Sequence, residues 1–241
     1  MSNEDVVESS AGFYGKLPSK GDFVRRNLPP SLVEDCDSWL QQAMVASRER
    51  LGDRWLDTYL TSPIWRFVLG PDCLGSEAWC GAIMPSVDRV NRYFPLLIAC
   101  PVREDVNAFR LKARNEAFFS ACEELLITAL DDDELDLETF TTDVAALSLL
   151  DRDDSESLVL DAGNSGSEIL LADGLASEMN ELLLDHVYRQ RMPGCSLWWS
   201  AVDGVRQRLF LFHGMPDAAH YTTLLTGTLA APEETHDESI S

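Results

Sequence analysis

Apolar residues recur at helical spacing in "LPPSLVEDCDSWLQQAMVASRERLG", where Leu32, Cys36, Trp39, Leu40, Ala43 and Met44 share one face. Pro29 and Pro30 bring the chain in extended, Ser31 and Glu34 have capping-box spacing, and Gly52 is a terminator, so an amphipathic helix is predicted. "RWLDTYLTSP" fits no single period. "PIWRFVLG" reads as a strand between Pro63 and Gly70, and "EAWCGAIMP" and "RYFPLLIACP" as two more, joined through "SVDRVN". Pro95 and Pro101 suggest that the last of these is an edge strand or ends there, because proline cannot donate to a ladder. In "DVNAFRLKARNEAFFSACEELLITAL", Phe109, Ala113, Ala117, Phe118, Ala121, Leu125, Leu126 and Leu130 predict one long helix. A second helix follows near "LETFTTDVAALSLL".

"SLVLDAGNSGSEILLADG" holds a short strand and a further apolar piece that its pattern does not assign. "SEMNELLLDHVYRQR" is helical, with Arg189 and Arg191 at the end that the helix dipole favours. "CSLWWSAV" and "RLFLFHG" form a hairpin around Asp203-Gly204, and "DAAHYTTLLTG" a short helix starting near Asp217. Hairpins interrupted by long helices give α+β: a largely antiparallel central sheet flanked by helices, an α/β/α sandwich. Trp198 and Trp199 point to opposite sheet faces, so both are buried only if both faces are covered. The expected organisation is a disordered segment 1–10, one domain over 11–230 and a disordered acidic tail over 231–241. Sub-lobes 11–130 and 155–230 share one sheet; the alternative is two domains with a boundary in the acidic stretch between them.

Composition is ordinary for a globular chain of 241 residues, 45% apolar and 25% charged, but the net charge is −22. Eleven acids face the single base Arg152 between Asp131 and Glu156. Such a field repels nucleic-acid backbones, so no nucleic acid is expected as a partner. No run approaches the roughly 18 apolar residues of a membrane span, and the N-terminus has no apolar signal region; a cytoplasmic protein without membrane insertion is expected. The six cysteines are scattered and form no C-x-x-C pair, which points to reduced thiols in apolar surroundings.

The opening stretch "GFYGKLPSKGDFVRR" gathers Lys16, Lys20, Arg25 and Arg26 around three glycines, with Asp22 its only acid. It is not a phosphate loop, since Gly15-Lys16 is followed by Leu17 and Pro18, where the loop needs a hydroxyl and a helix. It reads instead as a short strand pair with a local basic patch. The four histidines are far apart in sequence and no G-x-S-x-G occurs, so no catalytic residue, metal or cofactor is assigned. What remains is aromatic and arginine-rich: Trp65, Arg66, Ser86, Asp88, Arg89, Arg92, Tyr93, Trp198 and Trp199 at strand ends and connections. Two readings stand for them. They are core and loop-pinning residues, with Asp88 paired to Arg89 or Arg92, or they form a protein-binding face, since Trp, Tyr and Arg dominate interface energetics. An enzyme with Asp88 as base and Arg89 or Arg92 holding an anion is the rival, marked by a concave pocket and a raised Asp88 pKa.

"GFYGKLPSKGDFVRRNLP", "WLDTYLTSPIWRF", "GAIMPSVDRVNRYFPL", "SLWWS" and "LFHGMPDAAHYTTLLTG" resemble the TagF family of type VI secretion-associated proteins. The resemblance leaves 108–191 without a matched motif, and Asn91 stands where the family motif has glycine, a residue that tolerates a left-handed backbone. It implies a cytoplasmic, non-enzymatic, post-translational repressor that binds and sequesters a forkhead-associated (Fha) scaffold protein. It also implies a compact α/β sandwich, and carries over no phosphatase activity, because the fused phosphatase domain of some members has no counterpart here. The signature or partner-binding residues are then Lys16, Asp22, Phe23, Arg25, Arg26, Trp65, Arg66, Ser86, Asp88, Arg89, Arg92, Tyr93, Trp198 and Trp199. A structural subunit of the same machine is the alternative, and no oligomeric state is assigned.

Overall fold

The computed structural model describes residues 10–150, 157–161, 167–171, 179–191, 194–201 and 207–227, with the backbone alone at 157–161, 167–171 and 189–191. The expected disordered segments at both ends, most of the acidic run's last residues, the Asp203-Gly204 turn and the side chains of Arg189 and Arg191 lie outside the described residues.

The N-terminal pair is β1 (Gly12–Lys16) and β2 (Phe23–Arg26). Helix α1 (Pro30–Leu51) buries Leu32, Val33, Cys36, Leu40, Ala43, Met44 and Ser47. It begins two residues earlier than expected: Pro30 occupies the first turn, where its fixed φ and missing N–H cost nothing, and no side chain caps the end. The expected Ser31–Glu34 capping box is therefore not formed. Gly52 does stop the helix, and a 3₁₀ turn, Gly52–Arg54, leads into the short helix α2 (Trp55–Leu60), which resolves the ambiguous stretch.

Strands β3 (Trp65–Leu69), β4 (Ala78–Met84) and β5 (Leu96–Val102) follow as expected. β5 is not an edge strand, since it lies between β1 and β4. Pairing with β1 spans only Leu96 to Ala99, so Pro101 sits beyond it, and Pro95 precedes the strand. The strand-end half of that expectation accounts for both prolines.

The single long helix is two, α3 (Ala108–Arg114) and α4 (Glu116–Asp131), broken at Asn115. The buried Asn115 amide donates to the carbonyls of Leu111 (3.0 Å) and Leu150 (3.2 Å), and accepts from the Leu150 N–H (2.7 Å). That capture of two distant backbone groups outweighs continuation of the helix. After it, α4 buries Phe118, Phe119, Cys122, Leu126 and Ala129, while Ala117 is exposed and Ala121 and Leu125 are half-buried. Helix α5 (Leu137–Ala145) is capped by Asp136.

β6 (Ser157–Asp161) and β7 (Ser167–Leu171) pair into a separate two-stranded sheet, so the unassigned piece is a strand. Helix α6 (Met179–Arg191), the hairpin β8 (Cys195–Ala201) and β9 (Gln207–His213), and helix α7 (Ala218–Thr226), capped by Asp217, complete the chain.

The main sheet has seven strands in the order β2-β1-β5-β4-β3-β8-β9, antiparallel throughout. The later hairpin joins the earlier strands directly through β3–β8, so the sheet itself carries no domain boundary. Helices cover both faces. On one, α1, α2 and α7 pack over Trp65, Phe67, Leu69, Trp79 and Trp198. On the other, α3, α4 and α5 pack over Val68, Ala82, Ile98, Cys100 and Trp199. β1, β3 and β4 are buried along their whole length, as two-sided coverage requires. None of the six cysteines is in a disulfide.

Because Trp198 and Trp199 fill opposite layers, each 1% exposed, Trp198→Ala and Trp199→Ala should each lower the unfolding free energy by about 3–5 kcal/mol. Urea denaturation checks this, and a near-neutral result for either would mean that its face is not packed as described.

Candidate functional site

The β4–β5 connection folds around one carboxylate. Asp88 Oδ1 accepts from the backbone N–H groups of Val90 (3.0 Å) and Arg92 (2.9 Å), so its own side chain closes the turn. Asp88 N–H donates to the Arg92 carbonyl (3.1 Å) and Asn91 N–H to the Asp88 carbonyl (2.9 Å). Asn91 has φ 61°, the left-handed conformation that its glycine-like position requires.

Two cations complete the arrangement. Lys16 Nζ at 2.9 Å and Arg92 Nε at 2.7 Å both donate to Asp88 Oδ2. Arg92 Nη2 also donates to the Gly21 carbonyl, and Arg89 N–H to the Lys20 carbonyl (3.0 Å), which ties the 17–22 loop to the 86–94 loop. Burial alone would raise the Asp88 pKa. The Arg92 N–H, Lys16, the Arg92 guanidinium and the Val90 N–H outweigh it and hold the carboxyl well below the usual range. An acid so stabilised as a carboxylate is a poor proton acceptor. The raised Asp88 pKa that the rival expectation called for is not met.

Lys16 reaches this position because β1 runs against β5. Gly15 has φ 142°, and a Cβ there would lie 2.1 Å from the Pro95 carbonyl oxygen. Glycine is required for that approach. Ser86 Oγ donates to the Lys16 carbonyl (2.7 Å), while the Tyr59 hydroxyl accepts from Ser86 N–H and donates to Ser86 C=O (both 3.0 Å). Tyr59 is a member that the sequence reading missed, hidden in a stretch without a clear period.

The fourteen sequence-identified residues divide into two groups. Lys16, Trp65, Arg66, Ser86, Asp88, Trp198 and Trp199 are buried, so they present little or no side-chain surface to a partner. Lys16 in particular is not part of a surface patch, because its charge is turned inward to Asp88. Trp65 Nε1 donates to the Leu224 carbonyl (2.9 Å), tying β3 to α7. Arg66 staples β3 to α4: Nε and Nη2 grip Glu123 at 2.8 and 2.9 Å, and Nη1 binds Glu116 at 2.7 Å. Burial would lower the Arg66 pKa, but these carboxylates raise it.

The second group lines the outside of the clasp. Asp22, Phe23, Arg25, Arg89 and Arg92 are exposed, and Arg26 and Tyr93 half-buried. Asp22 Oδ1 accepts from Phe23 N–H (2.8 Å), and Arg26 lies 3.6 Å from Glu138. Tyr93 packs on Trp55 and Tyr59. The Phe23 ring stacks on Tyr14 and meets Phe94 edge-on, yet stays 44% exposed. Val90, which the sequence reading did not single out, is 60% exposed beside Arg89. β2 is also an edge of the sheet, its outer side without a partner strand among the described residues. No cluster of His, Cys, Asp or Glu suited to a metal ion occurs among the described residues. No helix among them is long and apolar enough to cross a membrane.

A family model described as "TagF N-terminal domain, Type VI secretion system-associated" matches residues 12–147. Among solved structures, PA0076 from Pseudomonas aeruginosa PAO1 is similar at 35% identity and a TM-score of 0.77, over 92% of this chain and 96% of that one. A comparison with curated proteins finds no match.

Replacing Asp88 with Asn leaves Lys16 buried beside a neutral group, and at pH 7 should cost about 3–5 kcal/mol. Since folding depresses the Asp88 pKa, its stabilisation is fully present above the unfolded value of about 3.9 and is lost as pH falls through the lower folded value. The stability gap between wild type and Asp88→Asn should therefore hold from neutral pH to about pH 5 and shrink in more acid solution. A gap that does not change with pH, measured by urea denaturation, would contradict the clasp.

Proposed function

The chain belongs to the TagF family of type VI secretion system-associated proteins, and from that membership we propose that it is a post-translational repressor that binds and sequesters a forkhead-associated scaffold protein. It acts stoichiometrically in the cytoplasm and without catalysis. The observation that carries the reading is the outer surface of the Asp88 clasp. There Phe23, Val90, Arg25 and Arg89 stand exposed over a base whose own charges are already paired.

Sequestration asks for a rigid patch with an aromatic or arginine anchor, and the clasp supports one. The Arg89 side chain makes no hydrogen bond or ion pair among the described residues, although its backbone is fixed through Lys20. A pre-positioned but unpaired guanidinium keeps its donors for a partner, and loses less freedom on binding than one on a mobile loop. The exposed Phe23 ring adds apolar area beside it, held by Tyr14 and Phe94.

Purified scaffold protein should bind the wild-type chain at micromolar concentration or tighter. Arg89→Glu combined with Phe23→Ala should weaken that binding at least about tenfold, about 1.4 kcal/mol or more, with Tm little changed. Deleting the gene should raise secretion, whereas loss of a required structural subunit would abolish it. Failure of the purified wild-type pair to associate removes direct sequestration.

A further inference from the structure

On the α1–α2–α7 side of the sheet, away from the clasp residues, an open groove of about 590 Å³ continues into a second cleft of about 220 Å³. Arg54 and Thr226 line both parts, Arg208 lines the first and Arg50 the second. In a chain of net charge −22, three guanidiniums share this one concavity, and none has an acid partner among the described residues. Among the described residues the lining includes a single carboxylate, Asp57, so the fixed charge that they supply is positive.

Two features set Arg208 apart from a solvated surface arginine. A Cβ on Gly227 would lie 2.3 Å from Arg208 Nη1, so the guanidinium rests against the backbone that closes α7. Gly227 has φ 66°, and its missing side chain makes the room. Directly across the β8–β9 ladder from Arg208 is Ser200, on the same sheet face. It is 1% exposed, and its hydroxyl has no hydrogen-bond partner among the described residues. Arg50 lies in the last turn of α1, where the helix dipole favours a cation. That explanation does not reach Arg208, which is on a strand.

We propose that this groove binds a phosphate monoester carried on a peptide. Each guanidinium is a planar fork of donors suited to bidentate contact with phosphate oxygens. A compact dianion concentrates its charge on the two forks that line the larger part, Arg54 and Arg208, whereas a diffuse run of carboxylates would meet the repulsion of the whole acidic surface. The groove is open and polar instead of enclosed and apolar, unlike the usual pocket for a free small molecule. That favours a group presented by an extended chain. The proposal uses none of the clasp residues and holds or fails independently of the scaffold reading.

The test is an NMR titration of the full ¹⁵N-labelled chain with four probes. These are a phosphoserine peptide, the same peptide unphosphorylated, inorganic phosphate, and a peptide of residues 228–241, which is acidic but carries no phosphate. The phosphoserine peptide should bind at least about tenfold tighter than the other three, with shifts centred on Arg54, Arg208 and Thr226. Arg54→Gln with Arg208→Gln should weaken it at least about tenfold at unchanged Tm, and Arg54→Lys with Arg208→Lys should restore only part, because Lys lacks the fork. Equal binding of the unphosphorylated or the 228–241 peptide, equal binding of inorganic phosphate, or full affinity in the Gln variant would each overturn the proposal.

Discussion

Everything in this molecule follows from an antiparallel sheet that is buried on both faces. Antiparallel sheets commonly leave one side to solvent, and their strands then alternate apolar and polar residues. Here β3 and β4 have no exposed position, and neighbouring tryptophans on β8 serve two different cores. A cation within such a strand cannot meet bulk water. It must find its counter-charge in the layer above it or at the sheet's end. Arg66 takes the first course, through Glu116 and Glu123 on α4, and Lys16 the second, through Asp88. The desolvation penalty of Arg66 is offset by three charge-assisted hydrogen bonds, and that of Lys16 by one to the buried Asp88. Those same contacts hold α4 on the sheet and lock the 86–94 loop against the 17–22 loop.

Most elements were legible in the sequence because their periods are local. The α1 face, the three strands from Trp65 to Val102 and the C-terminal hairpin with its capped helix all repeat at the spacing their geometry demands. Two-sided coverage could also be argued from two letters, Trp198 and Trp199. Two of the failures share one cause. Asn115 breaks a helix because Leu150 is nearby in space, 35 positions along the chain, and helical periodicity carries no trace of it. The inner position of β5 depends on β1, its neighbour in the sheet but a strand from far earlier in the chain.

The candidate site was legible as a set of residues and not as an arrangement. Lys16 reads like its neighbours Lys20 and Arg25, yet it is the one turned inward, towards a residue 72 positions away. Charge pairing at that separation leaves no local mark. Phe23 and Arg89 look no different in sequence from the buried aromatics and arginines around them. Only the fold separates Arg66, gripped by two glutamates, from Arg89, fixed by its backbone and open at its side chain.

The pairing of β3 with β8 also bears on how the chain is made. Leu69 faces Ser196 across that ladder, so the inner edge of β3 stays open until β8 has been made. At ~5–20 residues per second, synthesis leaves that apolar strand without its neighbour for roughly ten seconds. A nascent chain with such an edge is a target for chaperones or for misplaced strand pairing. The 12–147 segment that the family model covers holds five of the seven strands, and the sheet is completed only by β8 and β9, and the α1–α2–α7 layer only by α7, from residues that come after it.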